Sequence, residues 1–442
     1  MICYKRAKVP TVCLPSELVQ NGSFDAALDP AIEVDICVEN TEIRAVCLAG
    51  DSAGCKADSV HDLGGQLLWP GMVDAHMHLD KAHTWNRAPN RRGEFWDAIE
   101  LLSADKVNWT FDDVYRRASY TLECAWQHGV SAIRTHLDTG ADFGETSHQV
   151  LAQLRDEWAG RIEIQTVCLT SIEDFVRPEF ADAMGQLLVD TGGHALGGMP
   201  LMSDNLDTEL DAFFETAKRF DLPVDLHVDE SGDPNAECLK HVAEAVLRNE
   251  FTLPVTCGHC CSLAVQEPHK QRDTLAKVAE AGIHIISLPM CNLFLQDRMR
   301  ENKERQDALG ISGPGTPFWR GITLVNEFQQ LGVTVAAASD NVRDAFYAFG
   351  DADTFESYIT MLRAGHLDLS LETSTAYVTT APASIMGIEA NVGMVAPGAV
   401  ANFLVFEGIS HYSQLLSRMG SKRLRIFGEE VWERSLPDYP KF

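Results

Sequence analysis

The chain is short of positive charge. Lys and Arg total 36 against 64 Asp and Glu in 442 residues, a net charge of −28 at pH 7. A surface of that sign repels phosphate backbones and anionic headgroups, which argues against nucleic acid or a membrane as partner. Long apolar runs are missing too: none reaches the ~20 residues that span a bilayer. The opening residues Met1 to Arg6 carry no apolar signal-peptide core, so a cytoplasmic location is expected. The twelve cysteines are scattered and form no compact disulfide framework. Cys257, Cys260 and Cys261 stand close together, but no second cysteine pair follows as a zinc ribbon requires. They read as reduced, partly buried thiols. There is no internal repeat and no low-complexity tract.

What is present is rhythm. Residues 1 to 66 read as short strands and turns, with Ile32 to Val38 alternating apolar and polar as a half-buried strand does. From Leu67 onward strand and helix alternate. Strands are predicted at Leu67 to Val73, Val130 to His136, Ile162 to Leu169, Ala195 to Met199, Val224 to Val228, Val255 to His259, His284 to Leu288 and Thr334 to Ala338. Helices are predicted between them, among them Tyr115 to Gln127, Asn235 to Asn249 and Ile322 to Leu331. This alternation predicts an α/β fold with a parallel sheet, most simply a closed (β/α)8 barrel of TIM type over 67–388. A doubly wound open sheet is the alternative, but its Gly-rich phosphate turn after the first strand is absent. Residues 1–66 and 389–442 are expected to build one small β-sandwich domain from both termini. The segment Asn86 to Gly93, with three arginines, reads as a polar loop or a lid over a site.

In such a barrel, functional residues collect at the C-terminal ends of the strands. There the sequence places His76 and His78, His136 and Asp138, Thr170 and Ser171, His227 with Asp229 and Glu230, His259, Asn292, and Ser339 to Asn341. His76 and His78 alternate along a strand end, so both imidazoles share a face. Three imidazoles and a carboxylate suit a borderline divalent ion such as zinc or iron(II), which makes hydroxide available near neutral pH. Glu230, three residues past His227, is placed to shuttle a proton. His259 can hold and polarise the attacking hydroxide, and Asp340 can bind the ion and accept a proton from the water.

These residues lie in the stretches His76-Met77-His78-Leu79-Asp80, Arg134 to Asp138, His227-Val228-Asp229-Glu230, Thr256 to His259, Leu288 to Leu293, Arg320 to Thr323 and Ser339-Asp340-Asn341. With them the chain resembles, over nearly its whole length, the amidohydrolase superfamily. Within it the chain is similar to the bacterial cytosine deaminase-like and N-isopropylammelide hydrolase group. The resemblance implies one divalent metal, zinc or iron, held by His76, His78, His227 and Asp340, with Glu230, His259 and Asp340 as the acid–base set. It implies hydrolytic removal of an amino or alkylamino group from a nitrogen heterocycle (pyrimidine, triazine, pterin or purine-like), a small-molecule substrate and a homo-oligomer.

Against the cytosine type, Ser171 stands where a ring-reading glutamine is usual, Asn341 replaces a second aspartate, and Phe346 replaces a tryptophan. Lys81 and the Asp340-Asn341 pair look more like the triazine-pathway hydrolases. Lys81, Ser171, Asn341 and Phe346 are therefore the expected substrate contacts. The alternative reaction is cyclic amide or lactam opening. Its two-metal members carry a bridging lysine on the fourth strand, and no lysine occurs in Ile162 to Ser171. The Pro-Cys-x-x-Cys signature of the zinc nucleoside deaminases is also absent.

Overall fold

A computed structural model describes residues 1–51, 57–140, 144–298, 303–310, 315–440 and 442, the side chains of 303 and 304 excepted. It is an α/β structure with parallel sheets. Eight strands, β1 (Met72–Met77), β2 (Val130–Asp138), β3 (Glu163–Leu169), β4 (Leu196–Gly198), β5 (Val224–Val228), β6 (Val255–His259), β7 (His284–Ser287) and β8 (Val335–Ala337), recur along the chain with helices between them. Neighbours in sequence pair, as β1-β2-β3 in one sheet and in parallel as β4-β5-β6-β7-β8 in another. Isolated parallel pairings join Val167 to Ala195, Ser171 to Met199, and Met77 to Asp340. β1 and β4 to β6 have every residue buried. They are covered on both faces, so the polar Asp225 and His227 of β5 are buried along with its apolar residues.

The helices start and stop where local chemistry dictates. The helix expected from Tyr115 begins earlier, at Phe111, because Thr110 Oγ1 accepts from the Asp113 N–H at 3.3 Å and satisfies the first turn. The helix expected from Asn235 runs Cys238–Arg248. Its start is set by Asp229, whose two oxygens accept from the N–H groups of Cys238 at 3.0 Å and Leu239 at 2.9 Å. The helix expected at Ile322 to Leu331 is confined to Val325–Gln330. Cys257, Cys260 and Cys261 are buried and form no disulfide.

The chain divides into two compact units. One comprises Met1–Asp74, Glu123–Ala132 and Asp353–Asp438; the other Ala75–Leu122, Ile133–Ala352 and Tyr439–Phe442. In the first unit, Ile2–Pro10, Ala31–Glu39, Glu42–Leu48 and Ser59–Asp62 form one four-stranded sheet. A second contains Leu68–Pro70, Asn402–Phe406, Arg423–Phe427 and Glu430–Glu433. Tyr4, Val34 and Ile36 of the first sheet share a buried core with Leu68, Phe403 and Ile426 of the second.

This division differs from the boundary at 388 read from the sequence, because 353–388 falls in the terminal unit. Three contacts hold it there. Arg423 forks onto Asp353 with Nη···Oδ distances of 2.8 and 2.7 Å. Thr354 Oγ1 donates to Asp74 at 2.9 Å. The Trp69 ring meets Phe355 and Tyr358 edge-on at 5.7 and 5.1 Å. Within 353–388, Leu367 to Val378 forms successive single turns: 3-10 at Leu367–Ser370, α at Leu371–Ser374 and 3-10 again at Thr375–Val378.

Candidate metal-dependent active site

The C-terminal ends of the strands deliver the candidate residues to one place in the second unit. His76 lies in β1 and His78 one residue past its end, His227 in β5, and His259 at the last position of β6. Asp340 follows β8, and its N–H donates to the His76 carbonyl at 2.9 Å. The backbone is left-handed at Asp229 (φ 50°), His259 (φ 67°), Cys260 (φ 51°) and Asp340 (φ 62°). Each such non-glycine residue carries roughly 1–3 kcal/mol of strain, and such residues cluster where geometry serves a site. Gly258 has a steric reason: a Cβ there would stand 3.0 Å from His76 Cε1, so the strand leaves room for the imidazole.

The ring nitrogens crowd together. His76 Nε2 is 3.1 Å from His227 Nε2, which is 3.2 Å from His78 Nε2. Asp340 Oδ1 lies 3.2 Å from His78 Nε2 and 3.7 Å from His76 Nε2. Ligands about 2.0–2.1 Å from a shared tetrahedral centre would be about 3.3 Å apart, so the three imidazoles, with Asp340 beside two of them, could hold a divalent ion. Burial first, then neighbouring imidazoles and Lys81, holds His76, His78 and His227 well below the ordinary histidine pKa. They are neutral, with lone pairs to donate. His78 Nδ1 lies 3.1 Å from the His136 carbonyl. Donation of its proton there leaves the Nε2 lone pair facing the cluster.

A neighbouring set, His76, His136 and Asp225, also meets the spacing of metal ligands. Asp225 already faces a cation, however: Arg134 Nη1 donates to it at 2.9 Å. The guanidinium supplies there the charge an ion would bring. His136 thus stands behind the ligand set, its ring 4.1 Å from that of His76.

Glu230 sits beside this cluster. Its Oε1 is 3.3 Å from His259 Nδ1, and Asn292 Nδ2 reaches both, at 3.3 Å to Glu230 and 3.0 Å to His259. Burial, followed by the Asp340 carboxylate, pushes the Glu230 carboxyl well above its ordinary range. Burial, aided by Lys81, lowers His259 to about 3. With Asn292 donating to Nδ1, the His259 proton resides on Nε2. The sequence places Asn292 on the rim without marking a role for it. An asparagine carries no signal of its own, and its value lies in bridging two groups from other strands.

The four expected substrate contacts line one cavity of about 200 Å3 together with His78, His227, Glu230, His259 and Asp340. They are not equally free to meet a ligand. Asn341 donates from Nδ2 to Asp344 at 2.8 Å and accepts from the Cys291 thiol at 3.5 Å, so its amide is engaged. Phe346 lies under Lys81, whose Nζ is 5.0 Å from the ring centre. Lys81 also donates to Asp138 Oδ1 at 2.9 Å, and Lys106 reaches Asp138 Oδ2 at 3.1 Å. Burial opposes the Lys81 charge, but Asp138, Asp80 and Asp344 outweigh it and hold the ammonium above its ordinary pKa. Burial and the Asp138 carboxylate lift Asp80 to about 7. Ser171 is half-buried at the far wall. Asp229, at the rim, serves the helix start at Cys238 and is turned away from metal binding.

A model of the Amidohydrolase family matches residues 108–432. This chain belongs to the Amidohydrolase family. Among family relatives, it is 40% identical over 410 residues to the pterin deaminase of Rhizobium rhizogenes (strain K84 / ATCC BAA-868), covering 92% of this chain and 90% of that one. It is 22% identical to the N-isopropylammelide isopropyl amidohydrolase of Pseudomonas sp. (strain ADP), covering 93% of this chain and 95% of that one. The fold matches the crystal structure of 5-methylcytosine deaminase from Klebsiella pneumoniae liganded with 5-fluorocytosine, with a TM-score of 0.81. That match is at 22% identity and covers 100% of this chain and 99% of the other. The resemblance read from the sequence motifs is therefore borne out. Among the described residues, no helix is long and apolar enough to cross a membrane.

Proposed function

We propose that this amidohydrolase is a metal-dependent deaminase of an aminated nitrogen heterocycle, and that the ring is of the pterin type. Water adds to the ring carbon bearing the amino group. The C–N bond breaks, the carbon becomes a carbonyl, and ammonia leaves. The observation that carries the reading is the Glu230 carboxyl, its pKa pushed up by its surroundings, beside His259 and lining one chamber with His78, His227 and Asp340. The 40% identity to a pterin deaminase supports the choice of ring.

His76, His78, His227 and Asp340 would hold the ion, zinc or iron, one per chain. When bound, it lowers the pKa of a water toward neutrality. Asp340 accepts a proton from the attacking water, and His259 orients its oxygen. Glu230 gives a proton to the ring nitrogen next to the reacting carbon, so negative charge does not build on the ring, and then carries a proton to the departing amine. Lys81 and Ser171 face the ring's polar edge, and Phe346 its flat side. Asn341 acts through Asp344 and Cys291 by holding the chamber wall.

The architecture that supports this reading is a closed barrel of β1 to β8, with the isolated pairings at Met77, Val167 and Ser171 bridging its two sheets. The terminal sheets are read as a sandwich around their shared core, with catalysis assigned to the other unit and the protein to the cytoplasm. The test is ammonia release from pterin, cytosine, ammelide and guanine by zinc- and iron-loaded protein. Pterin is expected to give the highest kcat/KM. Absence of ammonia from every ring would overturn the deaminase reading, and a better substrate among the others would overturn the pterin assignment.

A further inference from the structure

A second cavity, of about 540 Å3, lies outside the first. The two share Phe95, Met199, His227 and Glu230 as walls. The inner chamber, at about 200 Å3, is smaller than the ~300–1,000 Å3 of typical ligand sites, so it accommodates a compact ring and little else. Across these shared walls, a group attached to that ring can extend into the outer cavity. The outer cavity has an apolar side, where Trp96, Leu201 and Met202 are about half exposed (51, 45 and 46%).

Its other distinctive group is Arg298. In a protein of net charge −28, no carboxylate stands within ion-pair distance of this guanidinium among the described residues. The side chain is nonetheless held. Nε donates to the Phe294 carbonyl, and the guanidinium lies over the Phe294 ring at 4.4 Å. Gly93, left-handed at φ 68°, closes on it from the other side, and a Cβ there would stand 2.9 Å from Nε. Gly93 ends the arginine-bearing loop that the sequence suggested as a lid. That loop is tied down: Asn90 donates to the carbonyls of Glu94 at 2.9 Å and Ala345 at 3.0 Å, and accepts from the Gly93 N–H at 2.9 Å. Its end is thus a fixed wall that orients Arg298. Partial burial lowers the Arg298 pKa.

We propose that the natural substrate carries a carboxylate on a side arm of its ring, and that Arg298 receives this carboxylate in the outer cavity. A pre-oriented, half-desolvated guanidinium with no acidic partner among the described residues suits a planar monoanion, to which it can present two parallel N–H groups. A phosphate dianion suits it less, because the Glu94 and Asp233 carboxylates line the same cavity. The apolar side covers the arm. Arg298 is a specificity residue, remote from the reacting carbon, and the inference rests on the ring-deaminase reading.

The test uses pterins with a 6-carboxyl or a 6-(2-carboxyethyl) group, each beside its primary amide, and the phosphate ester of 6-hydroxymethylpterin. At least one carboxylate is expected to exceed its amide by at least about tenfold in kcat/KM, and to exceed the phosphate ester. In R298M the carboxylate-to-amide ratio is expected to fall to near one, and in R298K to recover in part. If pterin is deaminated but both ratios are near one in the parent enzyme, or survive R298M, this inference fails and the deaminase reading stands. A phosphate ester better than both carboxylates overturns the choice of anion. If no pterin releases ammonia, the deaminase reading itself fails.

Discussion

Two buried clusters of polar groups, one in each unit, are built on opposite principles. In the terminal unit, Arg423 and Asp353 neutralise one another through two parallel hydrogen bonds, and His128 adds a third contact to Asp353 at 3.3 Å. The Arg423 guanidinium is 4.6 Å from the Phe355 ring centre. Asp353 also accepts from the Phe355 N–H and so starts the helix that follows it. In the other unit, the neutral nitrogens of His76, His78 and His227 face one another at 3.1–3.2 Å beside Asp340. The charges of the first cluster are paired within the chain. The second places acceptor lone pairs against each other, an arrangement that a cation resolves. Burial alone therefore does not mark a functional site; what marks it is whether the buried charges and lone pairs have answered one another.

The sharpest way to break the contrast is to remove a ligand. His227→Ala is expected to take the metal from about one equivalent per chain to near zero and to abolish turnover, as metal analysis alongside an ammonia assay would register. Two equivalents in fully active parent protein would reject the single-ion scheme. Glu230→Gln comes next. It is expected to lower kcat by at least about 10³ with metal content unchanged, because general acid–base help is worth ~10²–10⁴ and one group here serves two transfers. Loss of metal in that variant would make Glu230 a ligand.

The terminal cluster is expected to respond the other way. Asp353→Ala leaves Arg423 buried without its partner, which costs about 3–5 kcal/mol of stability in urea unfolding, while kcat per folded molecule is unchanged. A smaller effect separates the clusters by pH. The Arg423 and His128 charges overcome burial and hold Asp353 below the ordinary carboxylate pKa. A depressed folded-state pKa stabilises above the unfolded value of about 3.9 and is lost as pH falls below it. The acid limb of the parent's stability profile should therefore be steeper than that of Asp353→Asn, and superimposable limbs would remove Asp353 from the acid response. The smallest effect concerns the ring. With Ser171, Asn341 and Phe346 replacing the cytosine-type contacts, cytosine should lose about 1–3 kcal/mol of transition-state binding relative to the preferred substrate. Equal kcat/KM for cytosine would show that these positions do not select the ring.

Much of this was legible in the chain itself. The strand–helix alternation, the shared face of His76 and His78, and the return of His227, His259 and Asp340 at later strand ends depend on local periods that residue types display directly. The chemistry of three imidazoles and a carboxylate follows from donor identity. Only tertiary structure decided the rest. It assigned Asp229 to a helix start, spent the Asn341 amide on Asp344, and made Asn292 the bridge between His259 and a Glu230 that is 62 residues away. It moved 353–388 to the terminal unit through Arg423, 70 residues from Asp353. It turned the loop before Glu94 into a wall for Arg298 through an asparagine bonded to a carbonyl 255 residues on. A carboxylate, an amide or a guanidinium has the same identity whichever partner it meets. Partners so far apart along the chain leave no local pattern, so their roles arise only when the fold brings them together.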